Sequence, residues 1–201
     1  MESSLNIEIF KWIHAGAGTR PVVDGMAVFF GEGGPYFLAV LFAVLWFFVD
    51  ENKKTALLEA TEAAIIGLLV NQLIGLLYFH PRPYMIGLFT PLFAHGPETS
   101  FPSDHATLMF AAAFYLLFAR RWAACGIPLL AVTLLTAWGR VYSGVHFPFD
   151  MAGSLAVGVI SVGLMHLAEK PLNPLNKRLI RISDQWTDRL ARMQKGAPKE
   201  K

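Results

Sequence analysis

Cysteine is nearly missing from this chain: Cys125 stands alone, inside an apolar segment. That excludes an intramolecular disulfide, and nothing around it has metal-ligand spacing, so it reads as a small packing residue. Charge is scarce as well. Lys, Arg, Asp and Glu make up 16% of the 201 residues, against 54% hydrophobic and 13% aromatic, where an ordinary soluble domain carries about a quarter charged residues. A soluble fold is excluded and an integral membrane protein is expected. The N-terminus lacks a basic stretch followed by an apolar run and a small-residue cleavage site, so no removable secretory signal is expected. Linkers, internal repeats and charge blocks are lacking too, and one membrane-embedded unit over residues 1–201 is expected. The formal net charge of +2 hides an asymmetry, because much of the Lys and Arg lies beyond Glu169. A skew of that kind belongs to membrane topology and not to nucleic acid.

The apolar residues divide into an all-α, polytopic helical bundle. Leu5, Ile9, Trp12 and Ile13 fall at helical spacing with Glu8 and Lys11 between them, which predicts a short interfacial helix. Residues 21–32, with Asp24 and Glu32, fall short of the ~20 apolar positions needed to cross hydrocarbon. They read as a second, partly immersed helix within an N-terminal region 1–33, ended by Gly31, Gly33, Gly34 and Pro35. The transmembrane core, 34–168, then holds about five spans, at 34–49, 56–79, 103–119, 123–138 and 150–167. In the tail, 169–201, the row Leu172, Leu175, Leu179, Ile182, Trp186 and Leu190 alternates with Lys177, Arg178, Arg181, Arg189 and Arg192. That predicts a basic amphipathic helix on an anionic inner leaflet, with a partner-helix seam as the competing structural role.

Short loops rich in Lys and Arg stay cytoplasmic. Lys53 with Lys54, Arg120 with Arg121, and the tail fall on one side of five spans. Three polar clusters, HPRPY at 80–84, FPSDHATLMF at 101–110 and GRVYSGVHFPFD at 139–150, fall on the other. Ionisable groups at membrane depth mark function, so His80, Arg82, Asp104, His105, Arg140, His146 and Asp150 invite one explanation. Guanidinium forks match phosphate oxygens, a helix starting near Ser103 offers backbone N–H groups, and Ser103 adds a hydroxyl. Two imidazoles can supply a nucleophile and a proton donor. Taken singly, each residue also has a plain structural role. Pro81, Pro83, Pro102 and Pro148 punctuate loops, Ser103 or Asp104 caps a helix, and Arg82 and Arg140 anchor at an interface. His14 and His95 are expected to be solvated, and His166 to lie at the cytoplasmic end of span five, without roles. Glu59 and Glu62 suit the dipole at the start of span two, and Asn71 and Gln72 suit inter-helix hydrogen bonding.

Arg82-Pro83, then Pro102-Ser103-Asp104-His105, then Arg140 with His146 and Asp150, resemble the three-part signature of the type 2 phosphatidic acid phosphatase superfamily over roughly residues 75–150. HPRPY and FPSDHAT resemble its bacitracin-resistance type of undecaprenyl-diphosphate phosphatase. The resemblance implies a phosphatase without metal or cofactor. His146 attacks phosphorus, Asp150 orients it, His105 protonates the leaving oxygen, and Arg82, Ser103 and Arg140 hold the phosphoryl group. The sequence departs from the superfamily pattern at three positions: Gly75 stands where Lys is expected, Asp104 where Gly is expected and Gly139 where Ser is expected. His80 is expected to make up part of the lost phosphate-binding capacity, and Asp104 has no assigned role. The substrate implied is a polyisoprenyl diphosphate, cleaved to monophosphate and inorganic phosphate on the outer face of a bacterial cytoplasmic membrane. Phosphatidylglycerophosphate, phosphatidic acid and lipid A phosphates remain alternatives, as does a lipid-phosphate binding or transport protein without turnover. The missing Lys argues against a vanadium haloperoxidase, and the residues leave a homo-oligomer open.

Overall fold

In hydrocarbon every backbone N–H and C=O must find a partner within the protein, which restricts a spanning chain to helices or a closed barrel. The structure, a computed structural model, describes residues 3–119 and 122–196. Its regular elements are the helices α1 (Ser4–His14), α2 (Pro21–Trp46), α3 (Glu51–Leu77), α4 (Asp104–Phe118), α5 (Ala123–Tyr142) and α6 (Pro148–Gly196), with a 3-10 turn at Pro83–Ile86. α2, α3, α5 and α6 are long and apolar enough to cross a membrane. α4 has 15 residues, about 22 Å of helix, and occupies the centre of the bundle. Ala106, Met109, Ala111, Ala112, Ala113 and Leu116 of α4 are all buried, against Ala60, Ala63 and Ala64 of α3, Leu129 of α5 and Val162 and Met165 of α6. Small residues let these backbones approach closely, which is how helices gain packing energy where lipid removes the usual hydrophobic drive. Outward-facing Val40, Leu69, Leu73, Leu77, Ile127, Leu134 and Ile160 stay exposed and form a lipid-facing surface.

Three expectations need correction. First, residues 21–32 are not a separate helix: α2 runs on through Pro35 to Trp46. Proline removes one helical donor, but Gly31 and Gly34 make contacts with α5 instead of ending the helix. A Cβ on Gly34 would lie 2.3 Å from Thr136 Oγ1, and one on Gly31 would lie 3.0 Å from the Gly139 carbonyl carbon. Second, span five and the tail are one helix of 49 residues, continuous through Pro171 and Pro174. Its lower half packs along α3 through Asn176 and Ile180. Asn176 donates to Glu62 Oε2 at 3.2 Å, Ser183 Oγ accepts from Trp46 Nε1 at 2.7 Å, and Asp184 pairs with Lys54. Leu175, Leu179, Ile182 and Trp186 of the expected apolar row remain exposed, and the Leu190 side chain, like Arg120 and Arg121, lies outside the described residues. Third, α1 buries Asn6, Phe10 and His14, while Leu5 and Trp12 face outward. Phe10 packs on Phe89 and Phe147, and Asn6 Oδ1 accepts from Phe149 N at 3.0 Å. α1 therefore braces the start of α6. His14, expected in solvent, is buried with its Nδ1 2.7 Å from the Tyr142 carbonyl oxygen.

The three polar clusters meet at one end of this bundle, formed by the C-termini of α3 and α5 and the N-termini of α4 and α6. Lys53, Lys54 and the basic stretch of α6 lie at the opposite end.

Candidate active site

His146 lies in the turn between α5 and α6, which Gly144 makes possible by adopting φ 81°, a region open to glycine at little strain. The ring is buried and held from both sides. Nδ1 stands 2.9 Å from the Ser100 carbonyl oxygen and 3.4 Å from Asp150 Oδ2, both acceptors. The proton is therefore assigned to Nδ1, and the lone pair to Nε2. Nε2 accepts from Arg82 Nη1 at 3.0 Å and faces Arg140 Nη2 at 3.4 Å. Burial pushes His146 down to about 3, the Arg140 and Arg82 cations act in the same direction, and Asp150 opposes them. A neutral imidazole with its lone pair between two guanidinium groups is thus the resting state.

Asp150, in the first turn of α6, is fully buried. Its Oδ2 accepts from Ser100 Oγ at 2.5 Å and Phe147 N at 2.8 Å, and its Oδ1 is 3.2 Å from His80 Nδ1. Arg82 is 5% exposed. It donates to the Glu98 carbonyl at 3.2 Å, the Thr99 carbonyl at 3.1 Å and the Val145 carbonyl at 3.1 Å. One guanidinium so ties the 78–103 loop to the α5–α6 turn. Arg140, in the last turn of α5 and 1% exposed, pairs with Glu32 of α2 through Nη1 and donates to His95 Nε2 at 3.0 Å through Nη2. Burial, reinforced by the Arg82 cation, lowers the His95 pKa, which keeps its Nε2 available as an acceptor.

Arg82, Arg140 and His146 open onto a cavity of about 550 Å³, also lined by Asn71, Gly75, His95, Asp104 and His105. The cavity meets the N-terminus of α4, where backbone N–H groups and the helix dipole favour an anion. Asp104 accepts from Asn71 Nδ2 at 2.8 Å, and Asn71 also donates to Thr107 Oγ1 at 3.1 Å, so its carboxylate is tied to α3. Gly75 lines the cavity with no side chain to fill it, and a Cβ there would meet only Thr99 Cγ2 at 3.3 Å. Gly139 differs, because a Cβ would come within 2.5 Å of the Ala27 carbonyl oxygen and 2.8 Å of Gly31 N. The α2 backbone fills the place of a serine side chain.

Six of the residues singled out in the sequence, Arg82, Asp104, His105, Arg140, His146 and Asp150, come together here, Asp150 behind His146 and the others on the cavity. Two stand elsewhere. Ser103 is buried as the N-cap of α4, its Oγ accepting from Ala106 N at 3.4 Å and its N–H donating to Ser154 Oγ at 2.9 Å, and it is not among the cavity-lining residues. His80 lies outside the cavity as well and addresses Asp150. Sequence reading passed over Ser100, took Glu32 only as a mark against a span, and expected His95 in solvent, whereas His95 lines the cavity and accepts from Arg140. Ser100 and His95 sit in the Pro/Gly-rich loop without periodicity to mark them. Glu32 carried a signal, since an unexplained carboxylate in an apolar helix implies a buried partner.

The family model described as the PAP2 superfamily matches residues 56–173. The chain is 34% identical over 188 residues to undecaprenyl-diphosphatase BcrC of Bacillus subtilis (strain 168), covering 94% of this chain and 96% of that one. It is 32% identical over 161 residues to the putative undecaprenyl-diphosphatase YbjG of Escherichia coli (strain K12), covering 80% of each. The crystal structure of Aquifex aeolicus LpxE is similar with a TM-score of 0.67 at 25% identity, over 82% of this chain and 96% of that one.

Proposed function

The chain belongs to the PAP2 superfamily, and from that premise we propose that it is a metal-independent phosphatase of polyisoprenyl diphosphates, acting on undecaprenyl diphosphate. The observation that carries this reading is His146, with Nε2 directed at Arg82 and Arg140 and Nδ1 at Ser100 and Asp150. Nε2 attacks the terminal phosphorus as the bond to the bridging oxygen breaks, and His105 gives that oxygen its proton. The products of this step are the lipid monophosphate and a phosphohistidine. The phosphorylated imidazole keeps its Nδ1 proton and is cationic, so Asp150 stabilises it. Arg82 and Arg140 offset charge on the equatorial oxygens. Water then attacks phosphorus, His105 takes its proton, the P–N bond breaks and inorganic phosphate leaves. The substrate assignment is supported by the two relatives, undecaprenyl-diphosphatase BcrC and the putative undecaprenyl-diphosphatase YbjG.

We assign the site to the outer face of a bacterial cytoplasmic membrane, a reading supported by Lys53, Lys54 and the basic stretch of α6 at the other end of the bundle. A cysteine put at exposed Ala94 in a Cys125→Ser background will react with an impermeant thiol reagent on intact cells, and protection of that cysteine would reverse the orientation. For the reaction, phosphate release is measured from undecaprenyl diphosphate, phosphatidic acid and phosphatidylglycerophosphate side by side in chelator. The diphosphate is expected to be cleaved fastest. No release from any of the three would overturn the phosphatase reading, dependence on added metal would overturn the mechanism, and unchanged function in His146→Ala would leave a binding protein.

A further inference from the structure

Arg140 is a nearly fully buried guanidinium, and the carboxylate paired with it comes from outside the three polar clusters. Its Nη2 contacts two imidazole nitrogens, His95 Nε2 and His146 Nε2, so Glu32 supplies the negative charge at its Nη1 edge. Glu32 follows Gly31, and Arg140 follows Gly139. Those glycines are where α2 and α5 touch backbone to backbone, with no room for a Cβ on Gly139. The ion pair is thus set one residue beyond the closest approach of two helices. Its two ends differ sharply in environment, since the Glu32 side chain is 41% exposed and that of Arg140 is 1% exposed.

We propose that Glu32 is a positioning residue for Arg140 that also weakens the hold of the cavity on inorganic phosphate. This rests on the phosphatase reading above. By occupying the Nη1 edge, Glu32 fixes the guanidinium plane and leaves Nη2 aimed at His146 and the cavity. Its charge offsets one of the two cations, Arg82 and Arg140, that converge on the cavity. Without it, two guanidinium groups would grip a phosphate dianion in the ground state as well as in the transition state. Affinity gained equally in both does not raise turnover, and a tightly held product delays the next cycle.

Glu32→Gln keeps the shape and an acceptor oxygen but removes the charge. Inorganic phosphate should then bind and inhibit about five- to tenfold more tightly while kcat falls by a similar factor, within the usual range for coupling between two groups. Glu32→Asp should recover part of both changes. A merely structural role would lower kcat and the unfolding midpoint without tightening phosphate. Phosphate affinity that is unchanged or weaker in folded Glu32→Gln overturns the proposal. If that variant does not fold, Glu32→Asp decides, with intermediate tightening expected and unchanged affinity overturning it. Phosphate binding is also titrated directly, without lipid. Tightening in a protein that cleaves no lipid diphosphate sinks the phosphatase reading alone, and normal cleavage without tightening sinks the Glu32 proposal alone.

Discussion

Ser100 Oγ lies 2.5 Å from Asp150 Oδ2, and the carbonyl of the same serine lies 2.9 Å from His146 Nδ1. One loop residue thus donates to the buried carboxylate and accepts from the imidazole which that carboxylate orients. Removing the hydroxyl leaves the backbone acceptor in place but takes a donor from a buried anion. Ser100→Ala should lower kcat about tenfold or more, as expected for a lost hydrogen bond to a charged group, with KM little changed. Phosphate-release kinetics on reconstituted protein measure both.

His80 makes a different test, because its ring is near Asp150 Oδ1 and away from the phosphate cavity. His80→Ala should reduce kcat by about tenfold through the orientation of Asp150, while inhibition by inorganic phosphate stays as in the wild type. A weakened phosphate inhibition constant would return His80 to phosphate binding.

Arg82 donates to three backbone carbonyls besides His146. Lysine carries the charge without the planar fork. Arg82→Lys should therefore lose two or more charge-assisted bonds, together about 3 kcal/mol of stability, and at least ~100-fold in kcat/KM. Thermal unfolding in detergent and initial rates give the two values.

His146 supplies a pH dependence whose sign follows from its burial. In the folded protein it takes up its proton at about 3, whereas an unfolded histidine does so near 6.5. Between these values the unfolded chain holds more protons, so stability should fall as pH drops from about 6.5 towards 3, and the full contribution is present above 6.5. The pH dependence of the unfolding midpoint should be shallower in His146→Asn than in wild type over that window.

Gly139 and Gly75 both depart from the superfamily pattern, yet they should respond oppositely to a methyl group. Gly139→Ala drives a Cβ into the α2 backbone and should destabilise the fold by about 1–3 kcal/mol. Gly75→Ala meets only a threonine methyl at 3.3 Å and should leave the unfolding midpoint within a degree or so of wild type, well under the shift that ~1 kcal/mol produces. Scanning calorimetry of both variants separates them.

The helices and the convergence of the three clusters were legible because an apolar chain with few charges leaves each ionisable residue conspicuous. Arg82, His105, Arg140, His146 and Asp150 all stood out in this way. Ser100 did not, since a serine in a loop has no pattern, and its two partners are 46 and 50 residues away. Gly31, Gly34 and Pro35 misled for a physical reason: the same residues that weaken an isolated helix allow close contact between packed ones. Pro171 and Pro174 likewise look like a stop, but neighbouring α3 keeps the helix running beside it. Asp104 was opaque because its account depends on Asn71, one helix away.

The hydrogen bond from Phe149 N to Asn6 joins residues 143 positions apart. During synthesis the contacts of α1 with Phe89 and Tyr142 can form first, and this bond closes only once the start of α6 has left the ribosome. Asp150 arrives in the same few residues, so the brace and the residue that orients His146 become available together. A chain stalled before that point would carry Arg82, Arg140 and His105 without Asp150 and without the bond that ties α1 to α6.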